Sequence, residues 1–331
     1  MVTEVLSVLL ALGVIASAAE PSGLWVVTLN GREGFINKWG QLVIPPKFKF
    51  AWNFSEGLAP VWNEENRAGY IDASGKVVIP PQFDYARGFR EGVADVELGG
   101  KWGFIDKTGR YIVPPTYEQT QGFSEGYAAF EMKGKWGFLD KTGQAVIPAD
   151  YELVRDFSEG LAGACKDGKC GFIDKTGAVV VPFDFNDCGT FNTGVAEVKA
   201  GQRGHWGYID RTGRWLIPPS HFDFAMPFDK GFAAVAQGGK WGLIDTTGRF
   251  IWQPQFDYDP LQGFAPIFSE GLACVKQGDV YGFIKLSGEF VIGPHFSKCG
   301  NFRDGLAMAC DPEKCGYIGL DGTYVWSRPW F

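Results

Sequence analysis

The chain has 331 residues, of which 46 are Gly and 15% are aromatic, and it carries a net charge of −7. Glycine and aromatics at that level suit short strands joined by tight turns, and no stretch after the first twenty residues keeps a helical period. Acidic and basic residues are interspersed along the whole length as a solvated face, so there is no basic stripe to hold a phosphate backbone and nucleic acid is excluded as a partner.

The chain opens with an apolar core from Val5 to Ile15, followed by the small residues Ala16, Ser17, Ala18 and Ala19. This pattern predicts a signal peptide over 1–19, cleaved after Ala18 or Ala19, with the mature chain at 20–331. The n-region departs from the pattern, having no Lys or Arg and an acidic Glu4. A short uncleaved anchor helix is the alternative, although an apolar core of about a dozen residues is short against the roughly 20 that span a bilayer. No Cys follows to take a lipid, so no lipid anchor is expected there, and once the segment is cleaved no stable membrane span is expected.

From there one unit recurs. Aligning the chain on one glycine gives Gly34, Gly69, Gly103, Gly137, Gly171, Gly207, Gly242, Gly282 and Gly316, nine positions at a nearly constant spacing. A fixed period of this kind marks a repeat architecture. The clearest unit runs from Gly92 to Glu125 and holds three apolar runs, Val93 to Val96, Trp102 to Ile105 and Tyr111 to Val113, separated by the turn clusters L-G-G-K and D-K-T-G. This reads as a three-stranded antiparallel meander, too small to be stable alone, so neighbouring repeats must stack.

The recurring residues have structural readings. Asp72, Asp106, Asp140, Asp174, Asp210 and Asp245 head turns closed by a glycine. The pairs Pro80-Pro81 and Pro114-Pro115 are expected to stop the third strand. Trp102, Trp136, Trp206 and Trp241, each beside the alignment glycine, read as wedges between repeats, the glycine letting a large ring lie close to backbone. Trp136→Ala is accordingly expected to cost about 3 to 5 kcal/mol. The connector places two Phe six apart, as in Phe83 and Phe89, to plug the space between meanders, and has room for a helical turn.

The motif K-W-G-F-I-D-K-T-G…V-I-P-P…F-D…F-S-E-G-L-A-x-V, recurring from Gly23 to the C-terminus, resembles the bacterial WG (or KWG) repeat family. That resemblance implies no shared activity, cofactor or catalytic residue. The Trp position departs from it at Glu33, Ala68, Cys170, Tyr281 and Cys315, and the first and last repeats are among those altered, as caps would be. Both ends of the array complete their own meander, so the expected fold is all-β: nine repeats stacked as an open superhelical, solenoid-like array, with a closed β-propeller-like ring as the alternative.

Cys165 and Cys170 occupy the same two repeat positions as Cys310 and Cys315, five apart across a hairpin loop. Joint replacement at matching positions predicts two cross-strand disulfides worth roughly 2 kcal/mol each, which fits export to an oxidising compartment, periplasmic or extracellular. Cys274 and Cys299 are candidates for a third bridge, leaving Cys188. Spacing leaves that connectivity open. A thiol metal site is disfavoured, since C-x4-C is wider than the usual zinc pair and the histidines sit in separate repeats.

No nucleophile elbow, zinc-binding helix motif or phosphate loop is present, so no catalytic residue is assigned, no enzyme activity is expected and no cofactor or metal is expected. Glu56, Glu91, Glu125, Glu159 and Glu270 recur within the S-E-G turn and read as turn residues. Two loops break the period and are the candidates for binding: one carrying Asp259, Leu261, Gln262 and Phe264, and the hairpin carrying Gln202 and Arg203. The functional expectation is a non-catalytic exported scaffold binding a protein partner, with a carbohydrate or cell-wall polysaccharide module as the alternative.

Overall fold

Apolar residues at alternate positions make strands, and two-residue loops with left-handed backbone fold each strand onto the next. At Lys133-Gly134, φ is +54° and +70°, the geometry whose twist matches a hairpin. The computed structural model describes residues 23–201, 204–258 and 265–329, and its described residues are all-β with no helix. The proposed signal segment 1–19 lies outside them. Among the described residues no helix is long and apolar enough to cross a membrane.

The strands form nine small antiparallel sheets, one per repeat. Residues 22–220 with 227–229 make one compact unit, and 221–226 with 230–331 make a second. In the first unit the third sheet is typical: Tyr85–Ala86, Val93–Leu98, Lys101–Asp106 and Tyr111–Tyr117, in sequence order. Among the described residues seven sheets have four strands, whereas those built on Leu24–Leu29 and on Leu272–Gln277 have three.

The fourth strand corrects the three-stranded reading. Two connector residues give no visible period, yet Tyr85 and Ala86 pair with Glu97 and Val96, and Asp84 N and Arg87 N extend the ladder to Glu97 O and Asp95 O. The connector is therefore extended and holds no helical turn. A four-stranded antiparallel sheet is the blade of a propeller, which supports the propeller alternative over an open stack of three-stranded meanders.

The proline pairs also act differently from expectation. They do not stop the third strand, because Tyr111–Tyr117 runs through Pro114 and Pro115. Between the pairings Trp102↔Tyr117 and Phe104↔Val113 the third strand spends more residues than the second, and the prolines form the resulting bulge. This strand is the sheet's outer edge, where a residue without an N–H blunts further pairing. The bulge rises over the alignment glycine: a Cβ on Gly103 would lie 2.5 Å from Val113 O and 2.7 Å from Pro114 C. The same contact recurs at Gly34, Gly69, Gly137 and Gly171, so the glycine answers to the proline bulge as well as to the Trp.

Packing between sheets is aromatic. Where the central strand carries a ring, the second Phe of the following connector meets it: Phe104 with Phe123 at 5.3 Å, Phe138 with Phe157 at 4.7 Å and, in the second unit, Phe283 with Phe302 at 5.0 Å, whereas Phe268 follows a strand with Leu243 at that position and meets Phe232. Phe83 and Phe89 are both fully buried. Each such ring contributes about 1.5–3 kcal/mol by burial, and a tilted pair adds about 0.5–1.5 kcal/mol. Trp102, Trp206 and Trp241 are buried as expected, but Trp136 is only partly buried.

Candidate functional site

The recurrent polar residues close turns within a repeat or staple one repeat to the next. Asp106 Oδ1 accepts from Thr108 N at 2.9 Å, Thr108 Oγ1 at 2.6 Å and Arg110 N at 3.1 Å, and these bonds hold its carboxyl below the usual carboxylate range. Glu56 Oε2 accepts from Gly92 N at 2.9 Å and pairs with Lys107 at 3.1 Å, both in the next repeat. Glu91, Glu125, Glu159 and Glu270 accept in the same way from Gly126, Gly160, Gly194 and Gly305. At Glu125 burial opposes ionisation, but the Gly160 amide and Lys175 outweigh it and its pKa is lowered. Where a serine precedes the glutamate it does similar work: Ser124 Oγ donates to Phe157 O and Ser158 Oγ to Phe191 O.

What varies from repeat to repeat is the charge on the connectors and on the middle of the first long strand. In the first unit Arg87 Nη1 donates to Asp95 Oδ2 at 2.5 Å and to Thr120 O at 2.7 Å, while its guanidinium lies 4.1 Å over the Trp102 ring. Thr120 Oγ1 closes the group by donating to Asp95 at 3.2 Å. Arg90 pairs with Asp156 at 3.5 Å, two repeats further on, and its Cδ passes 3.0 Å from where a Cβ on Gly122 would stand. Burial raises the Asp156 pKa although Arg90 opposes it. Arg155, at the repeat position of Arg87, bonds Asp187 Oδ1 at 3.3 Å and Cys188 O at 3.1 Å. Connectors of the third, fifth and sixth repeats thus meet through charged side chains.

Beside this network stands an aromatic ladder. Trp52 contacts Trp62 at 5.9 Å and Tyr85 at 5.5 Å, and Tyr85 contacts Trp102 at 5.7 Å. Trp52 occupies the same repeat position as Arg87 and Arg155 and is 37% exposed. Elsewhere on this unit a shallow cleft of about 400 Å³ is lined by Arg32, Lys47, Val61 and Glu64 among others, with Arg32 and Glu64 paired.

Glu197 takes the strand position held by Asp95 in the third repeat. It is buried, its Oε2 has no hydrogen-bond partner, and burial pushes its pKa up to about 8. Gly189 makes room for it, since a Cβ there would coincide with the carboxylate. Cys165 with Cys170, Cys274 with Cys299 and Cys310 with Cys315 are bonded pairs with Cα separations of 4.0, 6.2 and 4.0 Å. Cys188 is free and buried, its thiol pushed up to about 12 by burial.

The loop residues proposed from the sequence as binding candidates, Asp259, Leu261, Gln262, Phe264, Gln202 and Arg203, lie outside the described residues. The charged connector network and Glu197 were missed. Their signal was present: Asp95 and Glu197 interrupt a run that reads Ala129, Gly163 and Ala234 in other repeats, and Arg87, Arg90 and Arg155 stand where connectors carry Gln121 or Ser124.

Comparison with known proteins agrees with the repeat. The model of the WG containing repeat matches residues 34–61, 69–102, 102–136, 136–170, 171–202, 206–241, 241–281 and 281–311. No curated protein matches. Among solved structures, one described as a eukaryotic initiation factor is similar at a TM-score of 0.65 and 10% identity, covering 93% of this chain and 96% of that one. The computationally designed Ika8 protein is similar at 0.50 and 13%, covering 84% and 94%. At these identities the likeness concerns the fold alone.

Proposed function

The chain belongs to the WG containing repeat family, and we propose that it is a non-catalytic, exported scaffold that binds a protein partner at the cell envelope or outside it. The observation that carries this reading is the use of the recurrent polar groups. The turn aspartates, glutamates and serines are bound to backbone and to cations of their own or the next repeat, so they build the array. The residues that differ between repeats, Trp52, Arg87, Arg90, Arg155 and Asp156, are partly exposed on the first unit. A surface that combines Arg and Trp has the composition of protein-binding hot spots. Three bonded cysteine pairs support an oxidising compartment.

The exposed rings of Trp39, at 67%, and Trp52 favour a second reading, in which the chain holds cell-wall polysaccharide by stacking sugars on these faces. One experiment separates the two. The oxidised 20–331 chain is used as bait on cross-linked envelope extract, with isolated cell wall as a parallel insoluble target. Saturable capture of a discrete protein, lost in Trp52→Ala/Arg90→Ala, supports the scaffold. Sedimentation with wall alone favours the polysaccharide. Recovery of the native chain in the cytosol with all cysteines reduced would remove the exported part of the proposal.

A further inference from the structure

Cys188 is the one cysteine outside a disulfide. The Sγ atoms of Cys165, Cys170 and Cys188 lie within 4.8 Å of one another, and all three residues are buried. Two adjacent sheets create this closeness. Cys165 and Cys170 face each other across Leu161–Lys166 and Lys169–Asp174, and Cys188, on Asp187–Cys188 of the next sheet, reaches back to Gly171 O at 3.7 Å. Gly163 leaves the space, since a Cβ there would stand 2.8 Å from the Cys188 sulfur. In the second unit the position matching Gly163 is Cys274, which bonds Cys299, the counterpart of Cys188.

We propose that, once the Cys165–Cys170 disulfide is reduced, Cys165, Cys170 and Cys188 form a buried three-thiolate site for one Cu(I) ion. A metal bonded to sulfur at about 2.3 Å holds its sulfurs roughly 4 Å apart; the Cys188 sulfur already stands within 4.8 Å of both others, and the Cys165 and Cys170 sulfurs, bonded to each other in this structure, part on reduction to take up that spacing. Thiolates select soft ions such as Cu(I) and Zn(II). Zinc takes four ligands, and the group that lies within ligating reach among the described residues is the three sulfurs, so three-coordinate Cu(I) is the better fit. The steps balance. A dithiol reductant gives two electrons and two protons to the disulfide, yielding two cysteine thiols and its own disulfide; binding then exchanges the three thiol protons for the cation. The disulfide is the metal-free form of the site.

The test uses the full chain reduced anaerobically with a phosphine, titrated with one equivalent of Cu(I) against a chromophoric Cu(I) chelator, with sulfur coordination read by X-ray absorption. Wild type is expected to show three sulfurs. Cys188→Ala is expected to show two and to bind about 100-fold more weakly. That variant should fold, because buried Ala51, Ala86 and Ala225 hold the same position in other repeats. Cys310→Ala/Cys315→Ala, which removes a pair with no third thiol, should keep the three-sulfur signal. Two sulfurs in wild type, or equal affinity in Cys188→Ala, would overturn the proposal.

Discussion

Gly103 lies flat against the peptide joining Val113 to Pro114: a Cβ on the glycine would sit 2.5 Å from the Val113 carbonyl oxygen. The atoms it would meet are backbone, so they cannot rotate away, and the proline bulge fixes them in place. Gly103→Ala should therefore destabilise the protein by about 1–3 kcal/mol through overpacking. Gly92 makes a useful contrast. Its φ is +83° and nothing lies within 4 Å of its missing Cβ, so Gly92→Ala should cost only about 1 kcal/mol of backbone strain. Urea unfolding of both variants measures the difference, and equal midpoints would show that the proline bulge yields.

Trp102 and Trp136 share a repeat position but not an environment. Trp102 is 6% exposed, meets Tyr85 and carries the Arg87 guanidinium over its face. Trp102→Ala should cost about 3–5 kcal/mol. The partly buried Trp136 should cost less, in proportion to the smaller area it withdraws from water. The comparison is made by thermal unfolding under one buffer. A larger loss at Trp136 than at Trp102 would contradict the burial described.

The elements visible in the sequence were those held by near neighbours. Asp106 and Thr108 close their turn within a few residues, so the motif alone predicts the hairpin. The Gly103–Pro114 contact joins two strands, and each residue looked self-sufficient when read alone: the glycine as space for Trp, the proline as a strand end. Tyr85 and Ala86 form a strand because Glu97 and Val96 offer a ladder, which two residues cannot announce. Asp95 and Glu197 were legible as charges inside apolar runs. Attention to loop length passed over them, although a buried carboxylate is the rarer event.

Glu197 gives a pH prediction whose sign is set by its raised pKa. Burial lifts the group from 4.5 to about 8 in the folded chain, so from pH 4.5 to 8 the unfolded state loses a proton that the folded state keeps. Stability contributed by the protonated form is complete below 4.5 and is lost as pH rises through 8. Melting temperature should fall across that window in wild type, and Glu197→Gln, which keeps the shape without the ionisation, should flatten the decline. A variant that follows the wild-type slope would mean that Glu197 is already ionised in the folded protein.

Gly163 and Cys188 stand to each other as Cys274 and Cys299 do, 25 residues apart in neighbouring sheets, and the latter pair is bonded. The physical difference is a single side chain. A Cβ at Gly163 would lie 2.8 Å from the Cys188 sulfur, close to the separation a disulfide imposes between one Cβ and the partner sulfur, although Gly189 O at 2.8 Å and Arg155 Cγ at 3.1 Å must give way slightly. Gly163→Cys should therefore bond Cys188 and tie the fifth sheet to the sixth. Counting free thiols in denatured, non-reduced protein is the check: wild type should show one, the variant none, and stability should rise by about 2 kcal/mol or less once the local strain is deducted. Two free thiols in the variant would show that the shift demanded of Gly189 is too large.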